Sequence, residues 1–128
     1  NTLAEARQLA RSVTYLLPLV MVDLLEYELE TGRSPFGEWF ATLDAQAASK
    51  ITTAMARLEM GNLGDVKSVG EGVLERRIPF GPGYRVYFGQ DGHALVILLI
   101  GGTKKRQQQE IAQAKTDWQD YKQRKKAG

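Results

Sequence analysis

Between Gly61 and Gln107, basic, acidic and phenolic side chains recur at a spacing that a β-sheet would gather. Successive strand residues point to opposite faces. In Tyr84-Arg85-Val86-Tyr87-Phe88, Arg85 and Tyr87 therefore share one face, and Val86 and Phe88 belong to the core. In Leu74-Glu75-Arg76-Arg77-Ile78, Glu75 and Arg77 share a face. Pairing of these two runs through Gly81-Pro82-Gly83 would bring Glu75, Arg77, Arg85 and Tyr87 into one patch. Lys67 lies on the preceding strand or loop, and Lys104 just beyond Gly101-Gly102.

Such a patch suits cleavage of an RNA phosphodiester. A base must take the proton of the 2′-hydroxyl, an acid must protonate the leaving oxygen, and cations must hold the charge that develops on phosphorus-bound oxygen. Arg85 is the first candidate for charge stabilisation, because a guanidinium meets phosphate bidentately. Glu75 or Lys67 is the candidate base, and Lys104 the candidate cation or acid. Arg77 and Tyr87 complete the catalytic set, since a tyrosine can stack a base or donate a proton. Lys67, Tyr84, Lys105 and Arg106 are the candidate RNA contacts. The plain alternative is a set of cross-strand pairs on a solvated sheet face. His93 falls in a turn and reads as exposed; both tryptophans fall on helical apolar stripes and read as core.

Composition narrows the chemistry further. The chain has 128 residues, enough for one compact domain. It contains no cysteine and one histidine, which removes disulfides, thiol catalysis and thiolate zinc sites. With no cofactor loop, the expectation is a protein that uses no cofactor and no metal, in a cytoplasmic setting. The net charge is only +2, but residues 104–126 carry eight Lys/Arg against three Asp/Glu. A basic end of this kind points to an anionic partner. The apolar run Tyr15–Val22 is far short of the ~18 residues that span a bilayer, and Asp23 follows it; no leader-peptide cleavage site is expected after it.

The elements that must position these residues follow from periodicity. Thr2-Leu3-Ala4-Glu5 has the capping-box pattern, and Leu3, Ala6, Leu9, Ala10, Val13 and Leu17 continue it at helical spacing as far as Pro18. Val22–Glu30 reads as a strand, closed by Thr31-Gly32-Arg33. Ser34-Pro35 starts a helix carrying Phe36, Trp39, Phe40 and Leu43. Asp44 caps a second, with the stripe Ala47, Ile51, Ala54, Met55 and Leu58, ended at Gly61-Asn62. Strands are predicted near Val66–Val69, Val73–Ile78, Tyr84–Phe88 and Leu95–Ile100, with turns at Gly81-Pro82-Gly83 and Gln90-Asp91-Gly92. The last strand is nearly all aliphatic and should be central. A helix from about Lys105 to Lys122 carries Ile111, Ala114, Trp118 and Tyr121. This order gives an α+β domain: a small antiparallel twisted sheet packed against a helical hairpin and a C-terminal helix.

The run GNLGDVKSVGEGVLERRIPFGPGYRVYF, the later LLIGG-x-K-x-x-Q, the EIAQA segment and SPFGEWFATLD together resemble the RelE/ParE superfamily of type II toxin–antitoxin toxins, nearest to its HigB-like addiction-module-killer branch. The resemblance spans about Val22 to Tyr121. It implies a RelE-like fold over residues 21–128 and leaves residues 1–20 as an extra N-terminal segment, read as a helix that either buries Leu9, Val13 and Leu17 on the body or covers the basic face or a dimer partner. It implies a bacterial cytoplasmic toxin: a metal-independent mRNA interferase, or endoribonuclease, that uses the 2′-hydroxyl on the translating ribosome and so inhibits translation and arrests growth. The implied partners are the ribosome, mRNA and a cognate antitoxin, usually a helix-turn-helix protein, through which alone the operator DNA is reached; no membrane is involved. Arg85 matches the superfamily's central catalytic arginine, while Arg77 and Lys104 fall near basic positions. Glu75 stands where lysine is found in some members, and Glu110 near where some place a catalytic tyrosine. Arg76 replaces an apolar residue common at its position. The competing reading is a ParE-type toxin that inhibits DNA gyrase without nuclease activity; a third is a degenerate member that serves only as a co-repressor. The Arg77/Arg85/Lys104 set favours RNA over gyrase.

Overall fold

The computed structural model describes residues 21–128, so the predicted helix within residues 1–20 lies outside the described residues. The elements run β1 (Asp23–Glu26), α1 (Pro35–Phe40), α2 (Ala45–Glu59), β2 (Val66–Gly70), β3 (Val73–Ile78), β4 (Tyr84–Gln90), β5 (Leu95–Thr103), a 3₁₀ turn (Lys104–Arg106) and α3 (Gln107–Ala127). Both predicted helix starts are built as expected. The Ser34 hydroxyl accepts from the Gly37 amide and the Asp44 carboxylate from the Ala47 amide, satisfying donors that the first turn leaves open.

The five strands form one sheet in the order β1-β5-β4-β3-β2. From β2 to β5 the neighbours are antiparallel, as their short turns require. The first strand departs from the expectation of a purely antiparallel sheet. It joins β5 in parallel, after which α1, α2 and the meander intervene before the chain returns. It is also shorter than the predicted Val22–Glu30. Pairing with β5 stops at Glu26, and Tyr27 is instead buried beneath α3, its hydroxyl donating to the Asp120 carboxylate at 2.6 Å.

Two cores result, one on each side of the sheet. α2 lays Ile51, Ala54, Met55 and Leu58 against Ile78, Val86, Phe88, Val96 and Leu98, with Phe36 of α1 joining them. On the other side α3 lays Ala114 and Trp118 against Val73, Tyr87, Ile97 and Leu99, with Tyr27 at the edge. The aliphatic β5 is covered on both faces, as its composition predicts. Among the described residues no helix is long and apolar enough to cross a membrane.

One irregularity in β5 matters for the site. Tyr87 pairs with Ile100 but Phe88 pairs with Leu98, so the ladder gains a residue at Leu99. Such a bulge reverses which residues of the strand face which side. Past it, Gly101 turns toward α1 and Gly102 toward α3. A β-carbon built on Gly101 would lie 2.3 Å from the Trp39 ring; one on Gly102 would lie within 2.4 Å of the Glu110 carboxylate.

Candidate functional site

The α3 side of the sheet is organised in two transverse rows. In one, Lys67 of β2, Glu75 of β3, Tyr87 of β4 and Ile100 of β5 are register partners. In the next, Arg77, Arg85 and Gly102 are partners, and the Arg77 amide donates to the Asp65 carbonyl at 2.9 Å. The 3₁₀ turn Lys104–Arg106 leaves β5 at the Arg85 end of the sheet and carries three exposed cations. The predicted convergence of Glu75, Arg77, Arg85 and Tyr87 on one face is therefore what the register produces.

What the spacing does not reveal is depth. The first turn of α3 crosses over the Glu75 row. Glu75 and Tyr87 are both 0 % exposed. The Tyr87 hydroxyl and the Gln107 side-chain amide each donate to Glu75 Oε2 at 3.0 Å, and Arg85 Nε lies 3.5 Å from the same oxygen. Among the described residues neither Glu75 Oε1 nor Arg85 Nε has a hydrogen-bond partner. Tyr87 is raised well above the ordinary phenol range, first by burial and then by the neighbouring Glu75 charge. It stays protonated, and its proton is committed to Glu75. In this arrangement neither group is open to a substrate; Glu75 faces the inner edge of the Arg85 guanidinium, and Tyr87 steadies Glu75.

Arg85 itself is 15 % exposed at the side chain and lines a shallow depression of about 190 Å³ with Asp65, Arg77 and Tyr84 among its walls. Arg77 is more open and pairs with Asp65, Nε to Oδ2 at 3.3 Å. A surface pair of this kind is worth little, so Arg77 is held loosely. Lys67, Lys104, Lys105 and Arg106 are exposed, and Arg106 Nε donates to Gln109 Oε1 at 3.0 Å. Tyr84 directs its ring to the other side of the sheet, 6.4 Å from that of Trp39 and against the α2 core, yet the residue also forms part of the wall of the Arg85 depression. His93 is exposed in its turn.

Two residues join the site that composition and spacing gave no role. Gln107 opens α3 and ties the helix to Glu75. Glu110, one turn later, is partly buried over Gly102, and its Oε1 is buried without a partner. Burial lifts its pKa above the ordinary glutamate range, with Arg106 only partly opposing the shift. It lines a second depression, of about 340 Å³, with Ile100, Arg106 and Gln109. A signal for Glu110 did exist in the chain: a carboxylate at helical spacing from the basic turn, beside Gly101-Gly102. Its position over Gly102 depends on the β5 bulge.

This face can bind an anion along its exposed rim and keeps one largely buried guanidinium beside a buried carboxylate at its centre. It also offers one carboxyl poised to exchange a proton nearer neutrality than usual. The family model described as "Phage derived protein Gp49-like (DUF891)" matches residues 38–124, which takes in α2, the β2–β5 meander and most of α3. The chain is also similar to an uncharacterized protein of Haemophilus influenzae (strain ATCC 51907 / DSM 11121 / KW20 / Rd). The two are 47% identical over 81 residues, a stretch covering 62% of this chain and 82% of the relative.

Proposed function

The chain belongs to the phage-derived Gp49-like family, and from that premise we propose that it is the toxin of a toxin–antitoxin module, a RelE/ParE-type endoribonuclease of the HigB-like branch that cleaves mRNA on the ribosome. The observation that carries the reading is the anchoring of Arg85. A buried carboxylate, itself hydrogen-bonded by Tyr87 and Gln107, faces the guanidinium's Nε edge at 3.5 Å, a charge pairing without a hydrogen bond. A guanidinium fixed before substrate arrives needs no reorganisation to hold developing charge. Arg77, Lys67 and the Lys104–Arg106 turn surround it and suit the phosphates of a single strand.

In this mechanism Arg85 stabilises the charge that builds on the non-bridging oxygens as the 2′-oxygen attacks phosphorus. Glu110 exchanges the proton at the 2′-hydroxyl or the leaving 5′-oxygen, the role for which its raised pKa suits it. Glu75 and Tyr87 act as positioning residues. Lys67, Arg77, Lys104, Lys105 and Arg106 bind the RNA backbone. A separate antitoxin would neutralise the protein by covering this face.

Primer extension on cellular message after brief induction tests the proposal. Cuts inside translated frames are expected. Arg85→Ala should reduce cleavage by about 10²–10³-fold, the usual loss for one preorganised charge-stabilising donor. Intact message with arrested replication would overturn this reading and support the gyrase-directed alternative, for which purified protein should block supercoiling without ribosomes.

A further inference from the structure

The opposite face of β3 holds a second charged group that the proposed RNA chemistry does not use. Arg76 is only 7 % exposed, and its Nε is buried without a hydrogen-bond partner. Its Nη1 donates to the Arg77 carbonyl, and the backbone at Gly64 lies against the guanidinium so closely that a β-carbon there would come within 2.5–2.7 Å of it. The residue is thus held in place. It is not neutralised in place among the described residues: Asp65, the carboxylate whose charge acts on it, gives its salt bridge to Arg77. Burial and the repulsion of Arg57 both weaken the guanidinium's hold on its proton. An arginine is seldom buried this far without an ionic partner, because the loss of hydration is not repaid.

Arg76 lines a depression of about 320 Å³ between α2 and the end of β3. Lys50 and Arg57 on α2 bring two more cations to it, and Ile78, Pro79 and Phe80 give it an apolar wall; no carboxylate lines it among the described residues. Lys50 Nζ lies 5.3 Å from the centre of the Phe80 ring. That contact occupies an aromatic face on which a nucleobase would otherwise stack. Three cations beside an apolar wall, with the aromatic face taken, fit a carboxylate carried next to an aliphatic side chain. We infer that the Lys50/Arg57/Arg76 depression is a docking site for an acidic, aliphatic peptide segment of a partner protein, separate from the face that carries Arg85. Its carboxylate would complete the ion pair that Arg76 lacks among the described residues, and its aliphatic neighbour would lie on Ile78 and Phe80.

The test is an amide-shift titration of ¹⁵N-labelled full-length protein with a capped peptide, acetyl-Leu-Glu-Leu-Asp-Leu-amide, whose only charges are side-chain carboxylates. Saturable shifts are expected over residues 49–57 and 76–80. Arg57→Gln, at an exposed position, should weaken binding at least tenfold. Arg76→Met should abolish binding yet unfold at the same or a higher temperature, since replacing an uncompensated buried charge by an apolar side chain is neutral or stabilising. A titration without saturable shifts would overturn the inference. So would a 5′-phosphorylated oligoribonucleotide that moves the same amides at lower concentration than the peptide. An Arg76→Met protein that melts earlier while Arg57→Gln binds peptide as before would make Arg76 a structural prop for the Gly64 loop. None of these outcomes bears on Arg85, so the docking site and the ribonuclease reading fail separately.

Discussion

The two sides of the sheet bury their residues on different terms. Against α2 the core is aliphatic and aromatic, and Leu58, Ile51, Val86 and Phe88 are each 0 % exposed. Against α3 the same depth is reached by Glu75, Asp117 and the hydroxyl-bearing Tyr87 beside Trp118. Apolar burial stabilises in proportion to area. Burying a carboxylate costs free energy unless it is fully hydrogen-bonded, and here Glu75 Oε1 and Asp117 Oδ2 are not. The α2 side therefore draws its stability from apolar burial, with Arg76 the buried charge at its margin. The α3 side gives up stability to fix polar groups, of which Glu75 and Tyr87 lie beside Arg85. A fold that keeps buried polar groups at a cost retains them for what they position.

The contrast can be broken by mutation. The largest effect is expected at Leu58→Ala, which opens a cavity in the α2 core and should cost about 2–5 kcal/mol in urea unfolding. On the proposed ribonuclease function, it should leave cleavage per folded molecule unchanged. Loss of activity without loss of stability would show that the α2 side also serves the site.

Next come the two tryptophan–glycine contacts, one on each side. A β-carbon on Gly101 would meet Trp39, and one on Gly89 would lie 2.6 Å from the Trp118 indole. Gly101→Ala and Gly89→Ala should each cost about 1–3 kcal/mol through overpacking. Thermal melts of the pair measure how rigidly each helix is held. Trp118 is 4 % exposed and Trp39 is more open, so Gly89→Ala should be the worse of the two. The reverse order would mean that α3 gives way more readily than its burial suggests.

Tyr87→Phe is a perturbation of no greater size and of more selective effect. It removes one donor to the Glu75 carboxylate and keeps the ring in place, a change of about 1–3 kcal/mol. If the hydroxyl serves to hold Arg85, turnover on bound RNA should fall while RNA affinity holds. Equal loss in both would reduce the network to ordinary packing.

The smallest effect concerns pH. Burial raises the Asp117 pKa above the ordinary aspartate range, with Gln113 opposing it by donating to Oδ1 at 2.9 Å. The folded state then binds the proton more tightly than the unfolded chain. This contribution to stability is full below the ordinary aspartate pKa and is lost as pH rises through the raised value. Asp117→Asn should therefore stabilise the protein at neutral pH and give no gain in acid. A gain of equal size at both pH values would remove the titration from the explanation.

Much of the scaffold was legible from local chemistry. Ser34-Pro35 and Asp44 mark their helices because cap side chains satisfy amides within three residues, a purely local requirement. The stripe Ala47, Ile51, Ala54, Met55, Leu58 is buried in full, because only one face of that helix can be apolar and stay folded. The β3 and β4 alternation placed Glu75, Arg77, Arg85 and Tyr87 on one side for the same kind of reason. Tyr84 lies at the rim of the Arg85 depression with its ring against Trp39, because its parity in β4 is opposite to that of Arg85.

Strand period, helix caps and the grouping of cations around Arg85 were thus determined by the sequence itself, since each depends on neighbours a few residues away. Tertiary structure alone decided how deep the site lies and which carboxylate stays accessible. Glu75 became an anchor because the start of α3 crosses it, and Glu110 joined the face because a bulge at Leu99 turned Gly102 beneath it. Depth and bulges are set by contacts between segments distant in the chain, and an all-aliphatic strand such as β5 carries no alternation from which a one-residue shift could be read.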